Sequence, residues 1–276
     1  MAETAGEGLV VEELTVSFGG LRALDDLSMT VSPGEVVGVI GPNGAGKTTL
    51  FNVVCGFVRP SHGNVRFDGR ALRRHQPHDL VDLGIARTLQ GVGLFSGLTV
   101  LDNVMAGATR RARTGLASNL LGLRRAERED AGLRERAGAV LEELRIGAHR
   151  DRLPDTLPYA IRKKAALARA LVGEPRLLLL DEPASGLSQS EIDELIALVL
   201  ALRARSSIFL VEHHMDVVMA VCERIVVLDF GQKIAEGTPD QVRSDPRVTD
   251  AYLGEDVGAG PVAKAAGAAP MDVTDA

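Results

Sequence analysis

Apolar residues along this chain come in short runs punctuated by glycine and proline. Leu9 to Phe18 alternates weakly and carries β-branched residues, the pattern of a strand. Gly19-Gly20 ends it, and Leu24 to Val31 reads as a second strand closed by the Ser32-Pro33-Gly34 turn. Val36 to Ile40, Leu177 to Leu180, Ser207 to Val211 and Ile225 to Leu228 are apolar throughout or nearly so and fit buried strands. A short strand, Asn64 to Gly69, follows the turn Arg59-Pro60-Ser61-His62-Gly63. Helical segments such as Glu191 to Arg203 alternate with the later strands, which implies a mostly parallel sheet covered by helices. From Gln76 to about Gly147 the pattern turns to Leu-, Ala- and Arg-rich stretches at helical spacing, Arg134 to Leu144 most of all. We read a helical subdomain, about 91–160, inserted into one domain spanning 1–255. Residues 256–276, rich in Ala and Gly with little to bury, read as a disordered tail.

Between the strand ending at Ile40 and a helix beginning near Thr49 lies Gly41-Pro42-Asn43-Gly44-Ala45-Gly46-Lys47-Thr48-Thr49, which fits the phosphate-binding pattern G-x-x-x-x-G-K-[ST]. Glycines let the backbone wind tightly and turn its N–H groups towards an anion, and the helix N-terminus adds partial positive charge. Lys47 is of the type that reaches β- and γ-phosphates, and the Thr48 hydroxyl of the type that ligates Mg²⁺. The fold class expected is α/β: a P-loop NTPase core with a mostly parallel sheet, an antiparallel β subdomain and the inserted helical subdomain.

Composition narrows the classes. The 276 residues are 45% hydrophobic and 25% charged, ordinary for a globular protein with a substantial core. A net charge of −6, no Trp and few aromatics argue against a nucleic-acid partner. Cys55 and Cys222 are far apart and lack metal-ligand spacing, which points to a reducing compartment rather than a disulfide framework. The first residues show no basic n-region or apolar h-region, and no stretch approaches the about 18 apolar residues of a spanning helix. Arg110, Arg111 and Arg113, and again Arg124, Arg125 and Arg128, form basic clusters that read as a solvated helix face or as a contact for a partner or anionic headgroups. Thr114 to Leu123 reads as a loop or as core packing.

The leucine run 177–180 ends in Asp181 and Glu182. Carboxylates at a strand's C-terminal end beside a phosphate loop suit Mg²⁺ binding by Asp181 and proton acceptance from an attacking water by Glu182. Gln90, in Ala86-Arg87-Thr88-Leu89-Gln90, could touch both metal and water, although on its own it reads as an ordinary polar residue.

Along roughly residues 9–254 the chain resembles the ATP-binding subunits of ABC transporters. Gly41 to Thr49 matches the Walker A loop, Gln90 the Q-loop, Leu177 to Glu182 Walker B, and Ala184-Ser185-Gly186-Leu187-Ser188 the D-loop. The resemblance implies a switch histidine at His213, in preference to His214, and an adenine-stacking aromatic at Phe18, which otherwise reads as an edge-strand core residue. Phe18-Gly19-Gly20-Leu21, Thr114-Gly115-Leu116, Val211 to Asp216, Gly237-Thr238-Pro239 and Ala251-Tyr252-Leu253-Gly254 look like the ATPases of branched-chain amino acid importers, a pattern largely shared by systems for urea or amides. The implied activity is ATP hydrolysis with Mg²⁺ at the cytoplasmic face of a membrane. The implied partners are permease subunits docking near Gln90 to Phe95, a second ATPase subunit and, indirectly, a substrate-binding protein. An exporter or lipid-extraction ATPase, a weakly hydrolysing regulatory subunit, and a non-transport ABC protein are the alternatives.

One segment departs from the family. Its signature, Leu-Ser-Gly-Gly-Gln, here reads Leu157-Pro158-Tyr159-Ala160-Ile161, followed by Arg162-Lys163-Lys164. The resemblance gives this segment to the partner's γ-phosphate, and Pro158 offers neither a hydroxyl nor an N–H. Charge from Arg162, Lys163 and Lys164 is expected to recover part of the loss. An asymmetric heterodimer is expected, in which this chain's own Walker site does most of the hydrolysis.

Overall fold

A computed structural model of the chain describes residues 6–88, 91–108 and 124–258. In chain order its strands are β1 (Leu9–Phe18), β2 (Leu21–Val31), β3 (Val36–Ile40), β4 (His62–Phe67), β5 (Arg70–Ala71), β6 (Ile85–Arg87), β7 (Leu177–Asp181), β8 (Ser207–Val211), β9 (Arg224–Asp229) and β10 (Gln232–Gly237). The described helices are α1 (Lys47–Val54), α2 (Leu80–Leu83), α3 (Val100–Ala106), α4 (Arg124–Glu143), α5 (Tyr159–Leu171), α6 (Gln189–Leu202), α7 (Met215–Val221), α8 (Pro239–Arg243) and α9 (Pro246–Gly258).

Two sheets organise these elements. The first has the order β2-β1-β4-β5 and is antiparallel; the second has the order β10-β9-β3-β8-β7-β6, parallel except for β10 against β9. The unbroken apolar runs are the central strands of the second sheet, and their alternation divides them between two cores. Leu177, Leu179, Phe209, Val211, Val37 and Val39 face the antiparallel sheet with α1 between, whereas Leu178, Leu180, Ile208, Leu210 and Ile225 face the helices on the other side. Helix α1 is therefore sandwiched: Leu50, Phe51, Val53 and Val54 are all buried, and the Phe51 ring meets Phe209 at 4.7 Å. Both cysteines are buried free thiols.

Helices α3, α4 and α5 pack together as a helical lobe through Val104, Leu133, Leu141, Ala165 and Ala168. Helix α5 carries the lobe to Leu171, beyond the boundary at 160 expected from sequence, because its apolar face packs on α3 and α4 as well as on the sheet. At the other end α9 runs to Gly258 and so includes the first three residues of the expected tail. The basic residues 110–113, the stretch 114–123, Gln90 and residues 259–276 lie outside the described residues; Arg128 is exposed on α4. Three strands escaped the sequence reading: β5 with two residues, β6 with three, and β10, whose sequence QKIAEG is mostly polar.

Candidate active site

The phosphate loop leaves β3 at Gly41 and enters α1 at Lys47. Gly41 has φ 145 and faces the Leu228 carbonyl so closely that an added Cβ would lie 2.0 Å from its oxygen. Gly46 caps α1 at φ 102, with the Ala23 carbonyl of β2 at 2.6 Å from where a Cβ would stand. Only glycine fits these two places, so the loop's shape is set by its neighbours on both sheets. Lys47 Nζ folds back over the loop and donates to Gly41 O at 2.5 Å and Pro42 O at 2.7 Å. Asn43, Gly44 and Thr48 are exposed, Pro42 and Ala45 are buried, and Thr49 is half-buried on the first turn of α1. Strand β2 passes this loop at Ala23 and Leu24, and at the end of the β1–β2 hairpin Phe18 is 52% exposed, unlike a core residue.

Strand β8 lies next to β3 and β7 next to β8, so Asp181 and Glu182 emerge at the same end of the sheet as the loop, and His213 follows from β8. Asp181 is buried and paired: Arg87 Nη2 donates to its Oδ2 at 2.7 Å, and Arg87 Nη1 donates to Asn52 Oδ1 at 2.9 Å. Its N–H reaches Thr88 Oγ1 at 3.3 Å. Glu182 takes the left-handed conformation, φ 47, and its N–H extends the ladder to Val211 O at 2.8 Å. His213 is exposed, with Nδ1 3.4 Å from Glu212 Oε1, while His214 caps α7 and stacks on it at 4.6 Å.

Glu212, 1% exposed, was not singled out from the sequence. Its Oε2 accepts from Ala184 N–H at 2.9 Å, and its Oε1 from the N–H groups of His213 and His214 at 2.9 and 3.2 Å. Glu212, His213 and His214 bring one ligand atom each within 4.8 Å of one another, but Glu212 is fully engaged by backbone.

The segment 157–164 opens α5, and its basic residues point in different directions. Pro158 is the N-cap of α5 and supplies no side-chain cap. Ile161 packs against the helical-side core. Lys163 points inward and donates to the carbonyls of Glu182, Pro183 and Ser185. Lys164 Nζ pairs with Glu194 at 2.6 Å, and Arg162 stacks over the Tyr159 ring at 5.6 Å. Both ammonium groups therefore have partners within the chain itself.

A model of the ABC transporter family matches residues 24–185. The chain belongs to the ABC transporter ATP-binding family. A model of the branched-chain amino acid ATP-binding cassette transporter matches residues 232–258, which cover β10, α8 and α9. This ABC ATPase is 40% identical over 252 residues, 90% of its length and 98% of the relative's, to the high-affinity branched-chain amino acid transport ATP-binding protein BraF of Pseudomonas aeruginosa. It is 34% identical over 248 residues, 90% of its length and 97% of the relative's, to the lipopolysaccharide export system ATP-binding protein LptB of Haemophilus influenzae. Among solved structures it resembles a nucleotide-free ATP-binding cassette from an ABC transporter (TM-score 0.77, 32% identity, 89% of this chain and 98% of that one). A second cassette, in its ADP conformation, has TM-score 0.77 at 31% identity, over 90% of this chain and 99% of that one. The ABC fold thus carries the phosphate loop, Asp181 and Glu182, and the exposed histidine to the C-terminal ends of its central parallel strands.

Proposed function

We propose that this ABC ATPase is the ATP-hydrolysing subunit of an importer for branched-chain amino acids. What carries the reading is the convergence of Lys47, Asp181, Glu182 and His213 at the C-terminal ends of adjacent strands β3, β7 and β8, in a chain whose last described elements match the branched-chain cassette model. The segments Gly41 to Thr49 would cradle the phosphates, with Lys47 exchanging its two loop carbonyls for β- and γ-phosphate oxygens. The Phe18 ring would stack on adenine. Glu182 would take the proton of the attacking water, and His213 and Gln90 would orient water and γ-phosphate. The exposed Thr48 hydroxyl and the Asp181 carboxylate are hard oxygen donors suited to Mg²⁺, and the Gln90 amide oxygen would be a third. The ion, when present with ATP, supplies charge neutralisation at the phosphate oxygens.

Among the described residues no helix is long and apolar enough to cross a membrane. Attachment at the cytoplasmic face of a membrane would come through permease subunits. A groove of about 490 Å³ between the β6 edge and the helical lobe, lined by Phe57, Leu80, Phe95, Gly107, Arg169 and Pro175, is the surface we assign to them. Its rim is held firm: the fully buried Asn103 accepts from Phe95 N–H at 2.7 Å and donates to the carbonyls of Phe95, Leu98 and Thr99.

The second ATPase subunit would be a different chain. Pro158 and Ile161 deny this chain's signature segment a hydroxyl and an amide, and one hydrogen bond to a charged phosphate is worth about 1.5–3 kcal/mol, roughly 10–150-fold in rate. A partner with an intact signature leaves the Walker site of this chain as the stronger one. Reconstituted vesicles are expected to take up leucine, isoleucine or valine with ATP. Glu182→Gln is expected to depress ATPase activity more than the equivalent change in the partner; the opposite order would remove the asymmetry.

A further inference from the structure

The loop that follows β7 is gripped from both chemical sides. Lys163 Nζ donates to Glu182 O at 3.2 Å, Pro183 O at 2.8 Å and Ser185 O at 2.6 Å, which uses all three ammonium protons. From the opposite side the buried Glu212 carboxylate accepts the Ala184 N–H at 2.9 Å. Three of the four residues 182–185 thus have their carbonyls on a cation and the fourth has its N–H on an anion, and these two charged groups come from different parts of the chain, α5 and the residue after β8. Burial lowers the Lys163 pKa, while Glu212 and Glu182 oppose that shift and favour the ammonium. The Tyr159 ring lies 5.4 Å from the same Nζ.

Within this grip Glu182 holds φ 47, a conformation that a residue with a Cβ keeps only where its surroundings impose it. Its own N–H is held by Val211 O and its carbonyl by Lys163. We propose that Lys163 is a positioning residue: acting through the backbone carbonyls of Glu182, Pro183 and Ser185, it keeps the Glu182 carboxylate where it meets the attacking water, and ties the orientation of α5 to that carboxylate within one chain. The proposal rests on Glu182 being the base. The lysine reaches the reaction only through Glu182, so losing it affects turnover and leaves nucleotide binding to the separate Walker A loop.

The test is steady-state ATPase activity of the assembled transporter carrying Lys163→Met, Lys163→Gln or Lys163→Arg, with Glu182→Gln as reference and thermal melting of each. Lys163→Met and Lys163→Gln are expected to lower kcat by about 10–100-fold with KM for ATP within about twofold of wild type. Lys163→Arg, which keeps charge and donors, is expected to recover part of the kcat lost in Lys163→Gln. If Lys163→Met does not assemble, Lys163→Gln decides alone. Wild-type kcat in Lys163→Gln alongside a large loss in Glu182→Gln overturns the positioning role and leaves the base assignment standing. A lowered melting temperature with unchanged kcat per assembled complex, or no recovery with arginine, also overturns it. Near-normal hydrolysis in Glu182→Gln overturns the base assignment itself.

Discussion

Arg87 holds Asp181 in a buried ion pair at 2.7 Å, with the two side chains 10% and 3% exposed. The guanidinium also bonds Asn52 of α1 and lies 5.6 Å from the Phe51 ring centroid and 5.8 Å from that of Phe57. One side chain therefore links the edge strand β6, the helix of the phosphate loop and the acid of β7. Removing it leaves a buried carboxylate without its cation. Arg87→Ala is expected to lower unfolding stability by about 3–5 kcal/mol. The double variant Arg87→Ala/Asp181→Asn should lose less than Arg87→Ala alone, which denaturant melts of the four proteins in the cycle would measure.

Binding and hydrolysis should separate between the loop and the acid. Lys47→Ala is expected to weaken ATP binding, because the lysine is the loop's phosphate-reaching cation. Glu182→Gln should keep ATP binding and slow single-turnover hydrolysis by about 10²–10⁴, roughly 3–5 kcal/mol of barrier. Parallel loss of affinity in both variants would argue against separate roles.

The groove beside β6 predicts an assembly defect. Phe95 is 56% exposed on its rim, with Arg169 5.9 Å from its ring centroid. Phe95→Asp is expected to reduce co-purification of permease subunits several-fold and to change ATP affinity by less than about twofold. Undiminished co-purification would move the docking surface elsewhere.

An acid-sensitive cluster lies at the opposite end of the sheet. Arg224 bonds Glu35 at 2.8 Å and also contacts Glu236, which Lys233 reaches at 2.5 Å. Burial works against ionisation of Glu35, but hydrogen bonds from Arg224 and Ser32 outweigh it and hold its pKa low. Glu236 is held low in the same way by Lys233 and Arg224 against its burial. Groups with depressed folded pKa values stabilise the fold above their unfolded pKa and lose that contribution as pH falls through the folded value. Stability should therefore decline as the pH drops below about 4.5. Arg224→Ala should be less stable at neutral pH and show a flatter acid limb in melts across pH 3–6, about the span over which glutamates titrate.

The two thiols predict silence. Burial pushes Cys55 up to about 11 and Cys222 up to about 12. At about pH 8 the native protein should react with a thiol-specific disulfide reagent about 100-fold more slowly than the unfolded chain. Rapid native labelling of either residue would contradict this packing.

The sequence displays the phosphate loop, the acids of β7 and the central strands openly, because glycine spacing and unbroken apolar runs are local signals. It conceals what depends on contacts far along the chain. Arg87 and Asp181 are 94 residues apart. Lys163 looks like one more charge in Arg162-Lys163-Lys164, and only the folding of α5 against the loop after β7 turns it inward. Glu212 is flanked by the more conspicuous His213, yet its carboxylate is the buried one. β6 has three residues, too few for periodicity to register. Ile161 appears as a lost amide until its contact with the core gives it a packing role.

The alternation of Leu177 to Leu180 between two cores has a consequence for the acids that follow. Asp181 continues the parity of Leu177 and Leu179 and meets Arg87 on the side of α1. Glu182 leaves that parity through its left-handed backbone. Deleting a single leucine would turn every later side chain of the strand to the opposite face and place the first carboxylate among the helices. Chain length within β7 is therefore under a stricter constraint than leucine identity. Exchanges among Leu, Ile and Val should be tolerated there, whereas a one-residue insertion or deletion inverts the site.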